Sequence, residues 1–91
     1  MPNYLHGTVA ATSTAAVLFT SPSENDGVAV KNSGPVAVYL GGSAVTADTA
    51  STGGLPLHPG ECVTVSTVGN LNADLYAVTA SGTAYVSYLY V

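Results

Sequence analysis

Apolar and polar residues alternate with a period of two through most of this chain, which is the repeat of a strand with one face buried. The clearest instance is Gly27–Leu40, GVAVKNSGPVAVYL. Val28 and Val30 share one parity, as do Val36, Val38 and Leu40. Between the two sets stand Asn32, Ser33, Gly34 and Pro35, residues that tolerate positive φ, fix φ near −65° or bond their own backbone. The pattern predicts a β-hairpin whose valines and Leu40 face the core. The opposite parity, Ala29, Ala37 and Tyr39, is too apolar for a freely solvated face.

The same reading extends along the chain. Leu5, Gly7, Val9 and Ala11 fall on one parity, then Ala15, Val17 and Phe19, giving two short strands broken at Thr12-Ser13-Thr14. Residues 1–12 are read as a first strand or an extended arm. A helix over 10–18 is the rival, but Thr12, Ser13 and Thr14 and the lack of long charged side chains weigh against it. Residues 21–27, SPSENDG, form a polar surface loop. Residues 43–54 are small and polar, suited to an edge strand or a loop. Leu55 to Gly60 carries two prolines and reads as a crossing loop, with Leu55 and Leu57 plugging one end of the core. Glu61 to Val68 is a strand with Val63 and Val65 inward and Cys62, Thr64 and Ser66 outward. Asp74–Ala80 and Thr83–Val91 read as a second hairpin about Ser81-Gly82. In its last strand both parities are apolar: Val86, Tyr88 and Tyr90 on one, Tyr85, Leu89 and Val91 on the other. About seven short strands with regular turn signals and no convincing helix predict an all-β protein, a small antiparallel β-sandwich or barrel. The 91 residues make a single domain, 1–91.

Composition changes the picture in one respect. A domain this small has a thin core and usually needs a disulfide, a metal or a partner. Cys62 is the only cysteine, so no intrachain disulfide forms. Charged residues are 7% of the chain against 47% hydrophobic, well below the charge of an ordinary soluble domain. Association with another body is the remaining aid. Five acids and one Lys give a net charge of −4, which argues against nucleic acid, because phosphate binding needs clustered Lys and Arg. No apolar run approaches the length of a bilayer span, and no basic segment precedes an apolar one as in a cleaved signal peptide. A membrane partner is not expected.

The candidate chemistry is sparse. His58 and Cys62 straddle a Pro-Gly turn with no third group to orient the histidine, so nucleophilic catalysis is not expected. His6, His58 and Cys62 lack the spaced pairs of a zinc site. Glu24, Asn25 and Asp26 lack the staggered carboxylates of a calcium loop, and a solvated turn explains them better. Asp48, Glu61 and Asp74 lie in separate segments. No cofactor, metal or catalytic residue is assigned. The tyrosines remain, and Tyr is enriched where a surface is partly wet and partly covered by a partner. Tyr39, Tyr85, Tyr88 and Tyr90, with Ala29 and Ala37, are the expected interface residues.

Three segments, VAVKNSGPVAVYLGGSAVTADT, GGLPLHPGECVTV and DLYAVTASGTAYVSYL, form an ordered set that resembles a small β-rich module of tailed-bacteriophage structural proteins. The match runs from Val28 to Leu89 and leaves the first 27 residues uncovered. The resemblance implies an antiparallel sandwich and a virion role, and it carries no catalytic residue. Together with the low charge it leads to one expectation: a capsid decoration protein on the outer capsid surface, a homotrimer bound to the major capsid protein. The alternative is a tail-tip or head-fibre adhesion module that binds host-surface glycan through its tyrosines.

Overall fold

The computed structural model describes residues 6–20, 27–48, 53–66 and 74–90. Among these are eight strands and no helix: β1 His6–Ala11, β2 Ala16–Thr20, β3 Gly27–Asn32, β4 Val38–Gly41, β5 Leu55–Leu57, β6 Cys62–Ser66, β7 Asp74–Val78 and β8 Ala84–Tyr90. The break at Thr12–Thr14 falls between β1 and β2. The acidic residues 24–26 lie outside the described residues.

The strands form two antiparallel sheets, sheet A in the order β1-β8-β3-β6 and sheet B in the order β2-β7-β4-β5. The ladders β4·β5, β3·β6, β2·β7 and β1·β8 are those of one long hairpin folded back on itself. Rolling that hairpin drops successive pairs into alternate sheets, and β3·β8 and β4·β7 then close each sheet. This is the eight-stranded, double-sheet jelly roll, a form of β-sandwich.

Two expected hairpins are therefore corrected. β3 lies in sheet A and β4 in sheet B, and β7 and β8 are likewise split between the sheets. Residues 33–37 and 79–83 are arches across the space between sheets. The turn residues act as the sequence suggests, but about 10 Å separates packed sheets, and an arch of this length spans it. Gly34 and Gly82 take the positive φ, 87° and 79°, that these arches require. Leu55–Leu57 is also corrected, from a loop to a short edge strand. Proline is tolerated at an edge, where its missing N–H faces away from the ladder.

The core lies between the sheets. Val28, Val30, Val86 and Ala84 from sheet A meet Phe19, Val38, Leu40, Leu57 and Ala77 from sheet B. Val36 is only partly buried against this cluster. At one end of the sandwich the short connections are tied together through Asn32. Its side-chain amide donates to the carbonyls of Val36 and Leu57, both at 2.8 Å, and its Oδ1 accepts from the Gly34 N–H at 2.7 Å. Its backbone N–H donates to Glu61 and its carbonyl accepts from Gly60. Asn32 is fully buried with every polar atom used. That is what allows a polar side chain to sit there without the cost of an orphaned group.

Candidate interaction surfaces

A sandwich leaves two outer faces, and directly opposed residues in an antiparallel ladder point to the same one. On sheet A, register aligns His6, Leu89, Ala29 and Thr64 in one row. The next row is Thr8, Ser87, Lys31 and Cys62, and beyond it lie Ala10 and Tyr85. Polar and apolar residues are mixed on this face, and Thr8 and Ser87 share a hydroxyl contact at 3.4 Å.

On sheet B, register aligns Val17, Tyr76 and Gly41 in one row, and Val78, Tyr39 and Pro56 in the next. None of the six carries a charge, but a further row, Thr20 and Asp74, puts an exposed carboxylate on the same face, where Asp74 accepts the Thr20 hydroxyl at 2.6 Å. Tyr39 and Tyr76 are half-buried, and Val17 and Pro56 are exposed. Beside this face is a shallow apolar depression of about 290 Å³ lined by Leu40, Val45, Leu55 and the glycines 41, 42, 53 and 54, with Ala44.

The expected interface residues do not form one surface. Ala29 and Tyr85 lie on the outer face of sheet A, where Tyr85 is 54% exposed. Tyr39 lies on the outer face of sheet B, on the far side of the molecule, and Ala37 sits half-buried in the arch before β4. Tyr88 and Tyr90 are on neither face. They point between the sheets and stack with Phe19 of β2, with ring centroids 5.5 and 6.0 Å from it and 5.6 Å from each other. The Tyr90 hydroxyl donates to the Thr20 carbonyl at 3.2 Å. The double apolar parity of β8 thus has an internal explanation for one half: Val86, Tyr88 and Tyr90 fill the sandwich, and only Tyr85 and Leu89 are presented outward.

Sequence reasoning missed Val17, Tyr76 and Pro56. Val17 and Phe19 share a parity in the sequence, but the register of β2 on β7 shifts between them. The bulge turns Phe19 inward and leaves Val17 41% exposed. Nothing in the sequence marks that bulge.

Burial holds the Tyr90 phenol above the ordinary tyrosine value, and Tyr88 beside it adds to the effect. His58 and Cys62 are both exposed. The Glu61 carboxylate is taken up by the turn, where it accepts the His58 backbone N–H at 2.7 Å. Among the described residues no three of His, Cys, Asp and Glu come together to hold a metal.

No protein-family model matches the chain. No curated protein matches it either. A solved structure from the disulfide-linked pili of Bacillus endospore appendages overlays with a TM-score of 0.42 at 15% identity, covering 98% of this chain and 85% of that one. A likeness that distant says nothing about what this chain does.

Proposed function

We propose that this chain is a structural virion protein: a decoration protein that docks on the outer surface of a phage capsid and braces the major capsid protein beneath it. The observation that carries this reading is the apolar, tyrosine-bearing centre of the outer face of sheet B, built from Val17, Tyr76, Tyr39 and Pro56, with Asp74 at one end of the face. An exposed patch of this composition on a small protein suits cover by another body. The jelly roll agrees by analogy only, since viral capsid domains and lectins both use it. The three segments that resemble a phage structural module point the same way. Binding the assembled shell and not its free subunits stabilises the shell by mass action, and no catalytic step is needed.

Co-sedimentation with shells lacking the protein tests this. Tyr39→Asp is expected to weaken binding by at least ~10-fold, the scale of a central interface aromatic, while Tyr85→Asp on the opposite face leaves it unchanged. Failure of the wild-type protein to bind such shells removes the reading. One observation favours the adhesion alternative: Tyr85 and Leu89 are exposed on the outer face of sheet A beside His6, Thr8 and Ser87. Glycan-array binding lost on Tyr85→Ala would support it over shell docking.

A further inference from the structure

The two sheets protect their edges unequally. In sheet B, β2 carries a bulge, and β5 is three residues long with Pro56 at its centre. Both features stop a further strand from pairing. Sheet A has neither. β1 runs against β8 from His6 to Ala11 without a register break, and β6 runs against β3 from Cys62 to Ser66 in the same way. Neither strand contains proline, Asp, Glu, Lys or Arg.

The backbone shows which groups are left open. The Asn32 N–H donates to its opposed residue, Glu61, at 3.1 Å. Bonded pairs in an antiparallel ladder alternate, so Val63 and Val65 bond to β3, and the N–H and C=O of Cys62 and Thr64 point off the open edge. The Ser33 N–H donates to the Tyr85 carbonyl at 2.8 Å. By the same alternation Gly7, Val9 and Ala11 bond to β8, and His6, Thr8 and Ala10 point off the other edge. Val9, Val63 and Val65 are only half-buried, and among the described residues no further strand pairs with β1 or β6.

We propose that β6 of one copy pairs with β1 of a second copy, so that sheet A continues from subunit to subunit. The occupant follows from the topology. In the order β1-β8-β3-β6, with every neighbour antiparallel, β1 and β6 run in opposite directions. A second copy placed edge to edge extends the antiparallel alternation with its outer face on the same side. One register pairs all five residues of β6 within β1 while matching faces. It sets Thr64 opposite Thr8, Val63 opposite Val9 and Cys62 opposite Ala10 of the second copy. The same register brings together the residues whose backbone groups are open on each edge. Head-to-tail pairing uses both edges of every copy, which a two-fold β6·β6 contact does not. Such a contact closes as a ring or runs on as a chain. It leaves the outer face of sheet B free, so it stands or falls independently of shell docking.

Two sets of variants test the contact. Ala10→Cys places a thiol opposite the native Cys62 of the neighbour, within reach of a disulfide. Mild oxidation is expected to give trimers or longer ladders on a non-reducing gel, with none from Ala44→Cys, which is exposed away from both edges. Thr64→Pro removes an outward-pointing N–H from an edge strand, a position where the monomer tolerates proline. Thr8→Pro does the same at the other edge. Each is expected to convert an oligomer in sedimentation velocity into a monomer that still melts cooperatively. A wild-type protein that is monomeric throughout, or Ala10→Cys that yields only a dimer or nothing, overturns the proposal. So does folded Thr64→Pro or Thr8→Pro protein of undiminished mass.

Discussion

Each sheet of this sandwich contributes two partly buried tyrosines, and they are used in opposite ways. Tyr88 and Tyr90 of sheet A turn inward and stack on Phe19, while Tyr39 and Tyr76 of sheet B turn outward beside Val17 and Pro56. The edges differ in the opposite sense: those of sheet A are regular and open, and those of sheet B are bulged or carry proline. One sheet spends its aromatic rings on its own core and keeps its backbone available at the sides. The other closes its backbone and presents its rings. Residue type does not decide which use a tyrosine is put to; the parity of its position relative to the core does.

The largest test of this contrast is to release the sheets from one another. Asn32 belongs to β3 of sheet A and donates to Leu57 of β5 in sheet B. Asn32→Leu keeps the branched shape but leaves the Val36 and Leu57 carbonyls and the Gly34 N–H without this partner. At about 1–3 kcal/mol for each of these three groups left unsatisfied, the expected loss is ~3–9 kcal/mol. That is a large share of the stability of a domain this size. Urea melts followed by circular dichroism measure it, and a loss under about 1 kcal/mol would mean that the sheets are held mainly elsewhere.

A smaller effect tests the inward rings alone. A Cβ built on Gly7 meets the Tyr88 hydroxyl at 2.5 Å, so the strand glycine is the space into which the ring fits. Gly7→Ala is expected to cost about 1–3 kcal/mol by overpacking. Gly42→Ala, where a Cβ meets nothing within 4 Å, is expected to cost far less. Equal melting temperatures for the two variants would show that Tyr88 is not confined by β1.

The strands were legible in the sequence because burial on one face imposes a period of two, and Val28, Val30, Val38 and Leu40 keep it without interruption. Their partners were not legible. Asn32 to Pro35 and Ser81-Gly82 are turn chemistry for a tight hairpin and for an arch between sheets alike, and only the long-range ladders β1·β8, β3·β6 and β2·β7 decide between them. The candidate surface was legible in part. Tyr39 faces away from the core as its parity requires, whereas β8, apolar on both parities, gave no means of telling Tyr88 from Tyr85. Val17 was hidden by a bulge that leaves no mark in composition.

Charge placed on the two outer faces compares them directly. Val17→Asp on sheet B and Ser87→Asp on sheet A are each expected to change stability by less than about 1 kcal/mol, as surface substitutions do. Only Val17→Asp is expected to weaken shell binding, by about tenfold or more. Equal loss from both, read in the same co-sedimentation assay, would erase the functional difference between the faces while leaving the structural one intact.

The smallest effect concerns the ring at the seam of the sheets. Tyr90 titrates above the ordinary tyrosine value because burial, and then Tyr88, disfavours its phenolate. A group that holds its proton more tightly in the folded chain contributes stability that is fully present below the unfolded value, about pH 10. That contribution is lost as pH rises through the folded value. Urea midpoints are therefore expected to fall above about pH 10 in the wild-type protein. Tyr90→Phe gives up the bond to the Thr20 carbonyl and starts slightly less stable, but its midpoints fall less steeply over that range. If Tyr90→Phe descends in parallel with the wild type, packing at the seam of the sheets does not hold the proton on the Tyr90 phenol, and the inward turn of that ring shapes the core without shielding its hydroxyl.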